Sequence, residues 1–84
     1  MKLVPISHFN STSHYLFSTE QDLTKGTVVM CDTTRGLQPG TCLCDSFEVS
    51  ENTAAYLLGK YGSNLEKLRP VVGYFEMIRF GGSE

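Results

Sequence analysis

Apolar and polar positions alternate along most of this chain, and the alternation breaks in a single region. Leu3, Val4 and Ile6 around Pro5 predict a strand over residues 1–7. It reads as an edge or first strand, because proline has no N–H to give a central ladder. Residues 8–13, HFNSTS, are polar and turn-rich. Residues 14–19 predict a second strand, with Tyr15 and Phe17 on one face and His14, Leu16 and Ser18 on the other. Residues 20–26 are a polar connection closed by Gly26; its one apolar residue, Leu23, is expected to plug the underside of a barrel. Residues 27–33, TVVMCDT, carry the strongest strand signal. Val28 and Met30 share one face, Val29 and Cys31 the other. Both faces are apolar, so the strand is expected to be central and covered on both sides. Residues 34–40 read as its connection, with Gly36 able to take a positive φ and Pro39-Gly40 marking a second turn or bulge. Residues 41–47 read as the returning strand, with Cys42 and Cys44 pointing one way and Leu43 and Asp45 the other.

The period then changes. Ala54, Leu57, Leu58 and Tyr61 follow helical spacing within residues 50–62. Ser50 stands at the N-cap, Glu51 in the first turn where the helix dipole favours an acid, and Gly62 at the C-terminal stop. Residues 63–70 predict a further helical turn ended by Pro70, with Leu65 and Leu68 inward. Alternation resumes over residues 71–80, the last strand, where Gly73 suggests a bulge or close backbone approach. Four strands, a helix and a strand predict a mainly β fold: a five-stranded small barrel over residues 1–80 with a helical insertion before the last strand, and a flexible tail over 81–84. The alternative is an α+β fold with the helix packed on an antiparallel sheet. Val29, Cys31, Leu43 and Leu57 are the expected core markers.

Size and charge narrow the function. Eighty-four residues make one domain. Seven basic and nine acidic residues give a formal charge of −2 with no basic run, so the electrostatic footprint of a nucleic-acid binder is missing. The amino-terminal residues hold no apolar core of signal-peptide length, and no stretch approaches the about 18–20 apolar residues of a membrane span. Three cysteines, an odd number, also argue against an extracellular disulfide framework. A cytoplasmic, membrane-free protein is the expectation, and Asn10-Ser11-Thr12 is then only a loop.

The run LTKGTVVMCDTTRGLQPGTCL, residues 23–43, resembles an SH3-like barrel. Leu23 and Gly26 match its leucine-bearing turn, and Thr33, Arg35, Gly36 and Gly40 match its arm and the glycine before the next strand. The pattern is similar to the polymerase-suppressor type of small domain and to the DNA-end-binding domain of the primosomal helicase. It covers about a quarter of the chain and implies architecture more than function. The remainder resembles small uncharacterised bacterial or phage-encoded proteins. The helix and the scarcity of basic residues around the hairpin depart from the minimal barrel of that type.

Chemistry-bearing residues are few. Cys42 and Cys44, with Cys31 across the hairpin and His8 or His14, would supply a Cys₃His zinc set. A Cys-x-Cys pair on a flat strand, however, holds its sulfurs about 6–7 Å apart, and the reading preferred is three small core residues. Asp32 and Asp45 would suggest a cation if they met across the hairpin. No nucleophile elbow or phosphate-cradling glycine loop occurs. The expectation is therefore no enzyme, no cofactor and no metal. A binding or assembly module is expected instead, acting through protein–protein interaction or self-association, with Tyr15, Arg35, Leu37, Tyr74 and Arg79 as the candidate interaction surface. A nucleic-acid-binding accessory domain, using Lys25, Arg35, Lys60, Lys67 and Arg79, is the alternative. A cysteine-based metal or redox regulator is the second.

Overall fold

The computed structural model describes residues 1–9 and 12–75. Part of the Asn10-Ser11-Thr12 motif, the last strand beyond residue 75 with Arg79, and the tail 81–84 lie outside the described residues. In chain order the elements are β1 (Lys2–His8), β2 (His14–Ser18), β3 (Val28–Thr33), β4 (Gly36–Cys42), β5 (Phe47–Glu48), helix α1 (Glu51–Lys60), a 3₁₀ turn (Leu65–Lys67) and β6 (Val71–Tyr74). The strands form one antiparallel sheet in the order β2-β1-β4-β3-β6, with β5 also paired to β1. The sheet curls into a half-barrel compatible with an SH3-like fold. A single parallel bridge, Ser18 to Pro70, joins the two ends of the strand path. The fold is mainly β with one short helix before the last strand.

The central hairpin is shorter than its turn residues suggested. Its loop is only Thr34-Arg35, and β3 pairs with β4 from Thr33↔Gly36 to Val28↔Thr41. Gly36 takes φ 98° just after the turn, as a tight hairpin needs. Pro39 and Gly40 are strand residues, not a second turn. The expected strand 41–47 is divided: β4 ends at Cys42, residues 43–46 leave the sheet, and β5 returns to a different stretch of β1. That division gives six strands among the described residues where five were expected.

β1 is the first strand, but it is not an edge one. It pairs with β2 on one side and with β4 and β5 on the other. Pro5 is accommodated because it lies opposite the gap between β4 and β5, where only its carbonyl is used, accepting from Leu43 N–H at 2.9 Å. Pro39 follows the same logic. The ladder between β1 and β4 ends at His8↔Gly40, so β4 has run past β1 where Pro39 lacks its donor. Both prolines stand at the ends of hydrogen-bonded stretches, where a missing N–H leaves nothing unpaired.

The two faces of β1 and β2 serve two cores. Val4, Ile6 and Phe17 point into the half-barrel and pack with Leu23, Val29, Cys31 and Cys42. Leu3 and Leu16, on the opposite face, pack with Ala54 and Leu58 of α1. Leu23 is the plug expected, held by Ser46, whose Oγ accepts from Leu23 N–H at 2.8 Å. Val29 and Cys31 are fully buried, whereas Leu43 and Leu57 are only half-buried: the strand has ended before Leu43, and Leu57 lies at the margin of the helix's packed face. β3 is central, yet Val28 and Met30 on its second face are also only half-buried. That face of the sheet is not covered as expected, because α1 sits over β1 and β2 instead. The ladder between β3 and β6 shifts register between Met30 and Cys31, where Gly73 and Val71 are their partners. Val72 is therefore the extra residue of a bulge beside Gly73.

Helix α1 starts where its cap dictates. Ser50 Oγ accepts from Thr53 N–H at 3.2 Å, and Gly62 beyond its end takes φ 74°. Ser50→Ala is expected to lower stability by about 1 kcal/mol, since the hydroxyl satisfies one of the helix's unpaired donors. A thermal-denaturation shift of roughly 4–8 °C checks this.

Candidate functional site

At one end of the half-barrel β1 finishes, β2 begins and the β3–β4 hairpin turns. There an open groove of about 600 Å³ runs from the hairpin tip past β2 to the end of α1 and the 3₁₀ turn. His8, the last residue of β1, anchors its floor. The ring donates from Nδ1 to the Pro39 carbonyl at 3.1 Å, meets Phe17 edge-on with centroids 5.5 Å apart and lies 6.4 Å from the Tyr15 ring. Tyr15 is 45% exposed, so its phenol is available to a ligand.

The charged walls come from two local structures. Arg35 projects from a stiffened tip, where its N–H donates to Thr33 Oγ1 at 3.1 Å and that hydroxyl donates to the Gly36 carbonyl at 2.7 Å. Lys67 ends the 3₁₀ turn, whose cap Asn64 accepts from Lys67 N–H through Oδ1 at 3.0 Å. Arg69 follows and pairs with Asp32 at 3.4 Å. Arg35, Lys67, Arg69 and His8 line the groove, and among the described residues no carboxylate side chain does. Other acids are engaged elsewhere: Asp22 with Lys2, Glu48 with the amino terminus and Asp45 with Lys25 N–H. Asp32 and Asp45 therefore have separate roles and do not form a pair. The chain is acidic overall, but this end of it is cationic.

Of the candidate surface, Tyr15 and Arg35 meet in the groove. Leu37 is 61% exposed on β4 opposite Asp32, outside it. Tyr74 is 52% exposed on β6 opposite Val29, also outside it. Arg79 is beyond the described residues. Lys25 and Lys60 stand apart from the groove; Lys60 lies over the Tyr56 ring. Arg69, Tyr61 and the floor position of His8 carried no signal in the sequence, because only the docking of α1 and the 3₁₀ turn beside β2 brings them there.

The cysteines do not share one face. Cys31 and Cys42 are buried and Cys44 is exposed, because the strand ends between Cys42 and Cys44 and breaks their shared parity. Cys31 faces Gln38 across the ladder. Burial, reinforced by the neighbouring Cys42, pushes the Cys31 thiol up to about 12. Burial, with Cys44 nearby, also raises Cys42. Among the described residues no three His, Cys, Asp or Glu side chains gather as a metal site requires, and no helix is long and apolar enough to cross a membrane.

Compared with known protein families, curated proteins and solved structures, the chain matches none of them.

Proposed function

We propose that this chain is a non-enzymatic binding or assembly module whose partner is a protein, either another chain or a second copy of itself. The observation that carries this reading is the groove: Tyr15 half-exposed over a His8–Phe17 floor, flanked by Arg35 on a stiff hairpin tip. Aromatic and arginine side chains held in a concave site are the usual anchors of protein interfaces. The finer resemblance, to the polymerase-suppressor type of domain, rests on residues 23–43 alone. The nucleic-acid reading draws less support, since Lys25 and Lys60 do not join Arg35 and Lys67. A thiol-based regulator draws less still, since burial disfavours the thiolates of Cys31 and Cys42.

Selection of phage-displayed random dodecapeptides on the immobilised chain tests the proposal. Sequences are expected to enrich on the native protein and to be lost on a Tyr15→Ala, Arg35→Ala double variant that keeps its circular-dichroism spectrum. Equal enrichment on both proteins removes the groove as the site. A concentration-dependent mass in sedimentation, abolished by the same double variant, identifies the partner as a second copy.

A further inference from the structure

We infer that the groove takes an extended acidic segment of a partner protein, which adds as a strand to the outer edge of β2 at residues 14–16, before its Ser18 bridge; this rests on the binding reading above. Three observations converge on that occupant. The first is the edge itself. β2 ends the strand path, and its residues alternate in direction. Thr19 N–H bonds to Lys2 of β1 at 3.1 Å, while Ser18 N–H bonds outward to the Arg69 carbonyl at 3.0 Å. In an antiparallel ladder this parity turns the backbone groups of Leu16 and His14 outward as well. Leu16 lines the groove, so its backbone groups stand beside the place an added strand would take.

The second observation is geometric. Arg69 and Pro70 already accompany the end of β2 as a neighbouring chain, through the Ser18 bridge. Arg69, beside that bridge, lines the groove together with Leu16, and a segment lying along Leu16 and His14 would follow the same edge. Its side chains on the barrel side would meet Tyr15, which shares the face of Ile6.

The third is charge. Arg35, Lys67 and Arg69 line the groove and, among the described residues, no carboxylate does, in a chain of net charge −2. Arg35 and Lys67 make no ion pair among the described residues, while Arg69 is partly neutralised by Asp32. A strand carrying Asp or Glu at alternate positions complements the groove, and a basic strand is repelled by it.

The test titrates the full ¹⁵N-labelled chain with three probes: a capped hexapeptide alternating glutamate and tyrosine, the same peptide with lysine for glutamate, and a ten-residue oligothymidylate. The acidic peptide is expected to shift the amides of Tyr15, Leu16, Arg35 and Lys67 and to slow exchange of the Leu16 N–H. Arg35→Glu with Lys67→Glu, both at exposed positions, is expected to weaken it roughly tenfold and to favour the lysine peptide. Groove shifts with the lysine peptide equal to those with the acidic one leave a binding module but overturn the acidic occupant. Shifts with no slowing at Leu16 overturn strand addition. Groove binding of the oligothymidylate alone overturns both this inference and the protein-partner reading.

Discussion

Replacing Gly40 by alanine is expected to lower the unfolding free energy by about 2–3 kcal/mol, the cost of forcing an extra methyl into a filled interior. Gly40 is paired on both sides, to His8 of β1 and to Val29 of β3. A Cβ there would lie 2.4 Å from Ile6 Cγ2, 3.1 Å from the Ser7 carbonyl and 3.2 Å from His8 Nδ1. Ile6 is fully buried and cannot swing aside. The Ser7 carbonyl belongs to the sheet, so the strands themselves must part. The effect should be large in a domain this small, roughly a 10–20 °C fall in melting temperature. Gly36→Ala is the instructive comparison. Its Cβ would meet nothing within 4 Å, but its φ of 98° is unfavourable to alanine, which costs about 1 kcal/mol. Thermal or urea denaturation of the two variants separates close packing from backbone strain; equal losses would contradict the assignment. Because His8 also holds the groove floor, Gly40→Ala should disturb the Tyr15 environment, and Gly36→Ala should not.

The second large effect is a loss of stability in alkali. The buried Cys31 thiol ionises near 12 in the folded chain, whereas an unfolded cysteine ionises near 8.5. Below the unfolded value both states carry the proton and the group is neutral to stability. As pH rises through about 8.5 the unfolded chain releases its proton and the folded chain keeps it. The unfolded state then binds fewer protons, and stability falls by up to about 1.4 kcal/mol per pH unit until the folded thiol also ionises near 12. Urea midpoints measured between pH 8 and 11 should decline more steeply for the native chain than for Cys31→Ala. Parallel curves would show that Cys31 does not carry the effect; Cys42, raised in the same direction, supplies a residual slope. At neutral pH, Cys31→Ser is expected to cost about 1–3 kcal/mol, because it buries a hydroxyl among Val4, Ile6 and Val29. Arg35→Ala, at an exposed tip, should cost less than about 0.5 kcal/mol.

Signals that are local in the chain proved legible. The alternation in β1, β2 and β3, the cap at Ser50, the stop at Gly62, the positive φ of Gly36, the plug of Leu23 and the bulge beside Gly73 each depend on a residue and its immediate neighbours. The exposed pair Tyr15 and Arg35 was legible for the same reason, as an aromatic at a strand start and a cation at a tight turn. Proline and glycine misled where their meaning was not local. Pro5 read as marking an edge or first strand and Pro39 a turn or bulge, yet each is an interior ladder residue whose missing donor falls at a gap in its partner. Nothing in the identity of a proline tells where the neighbouring strand ends.

What remained for the tertiary structure to decide was which strand lies beside which. β1 gathers three partners, of which β4 and β5 come from distant parts of the chain, and the end of β4 at Cys42 leaves Cys44 outside. The same long-range packing sets α1 and the 3₁₀ turn beside β2, where Lys67 and Arg69 complete a cationic groove in an acidic chain. Net charge is a sum over residues and can be read from composition. A charged groove is an arrangement in space, and it exists only once contacts far apart in sequence have closed.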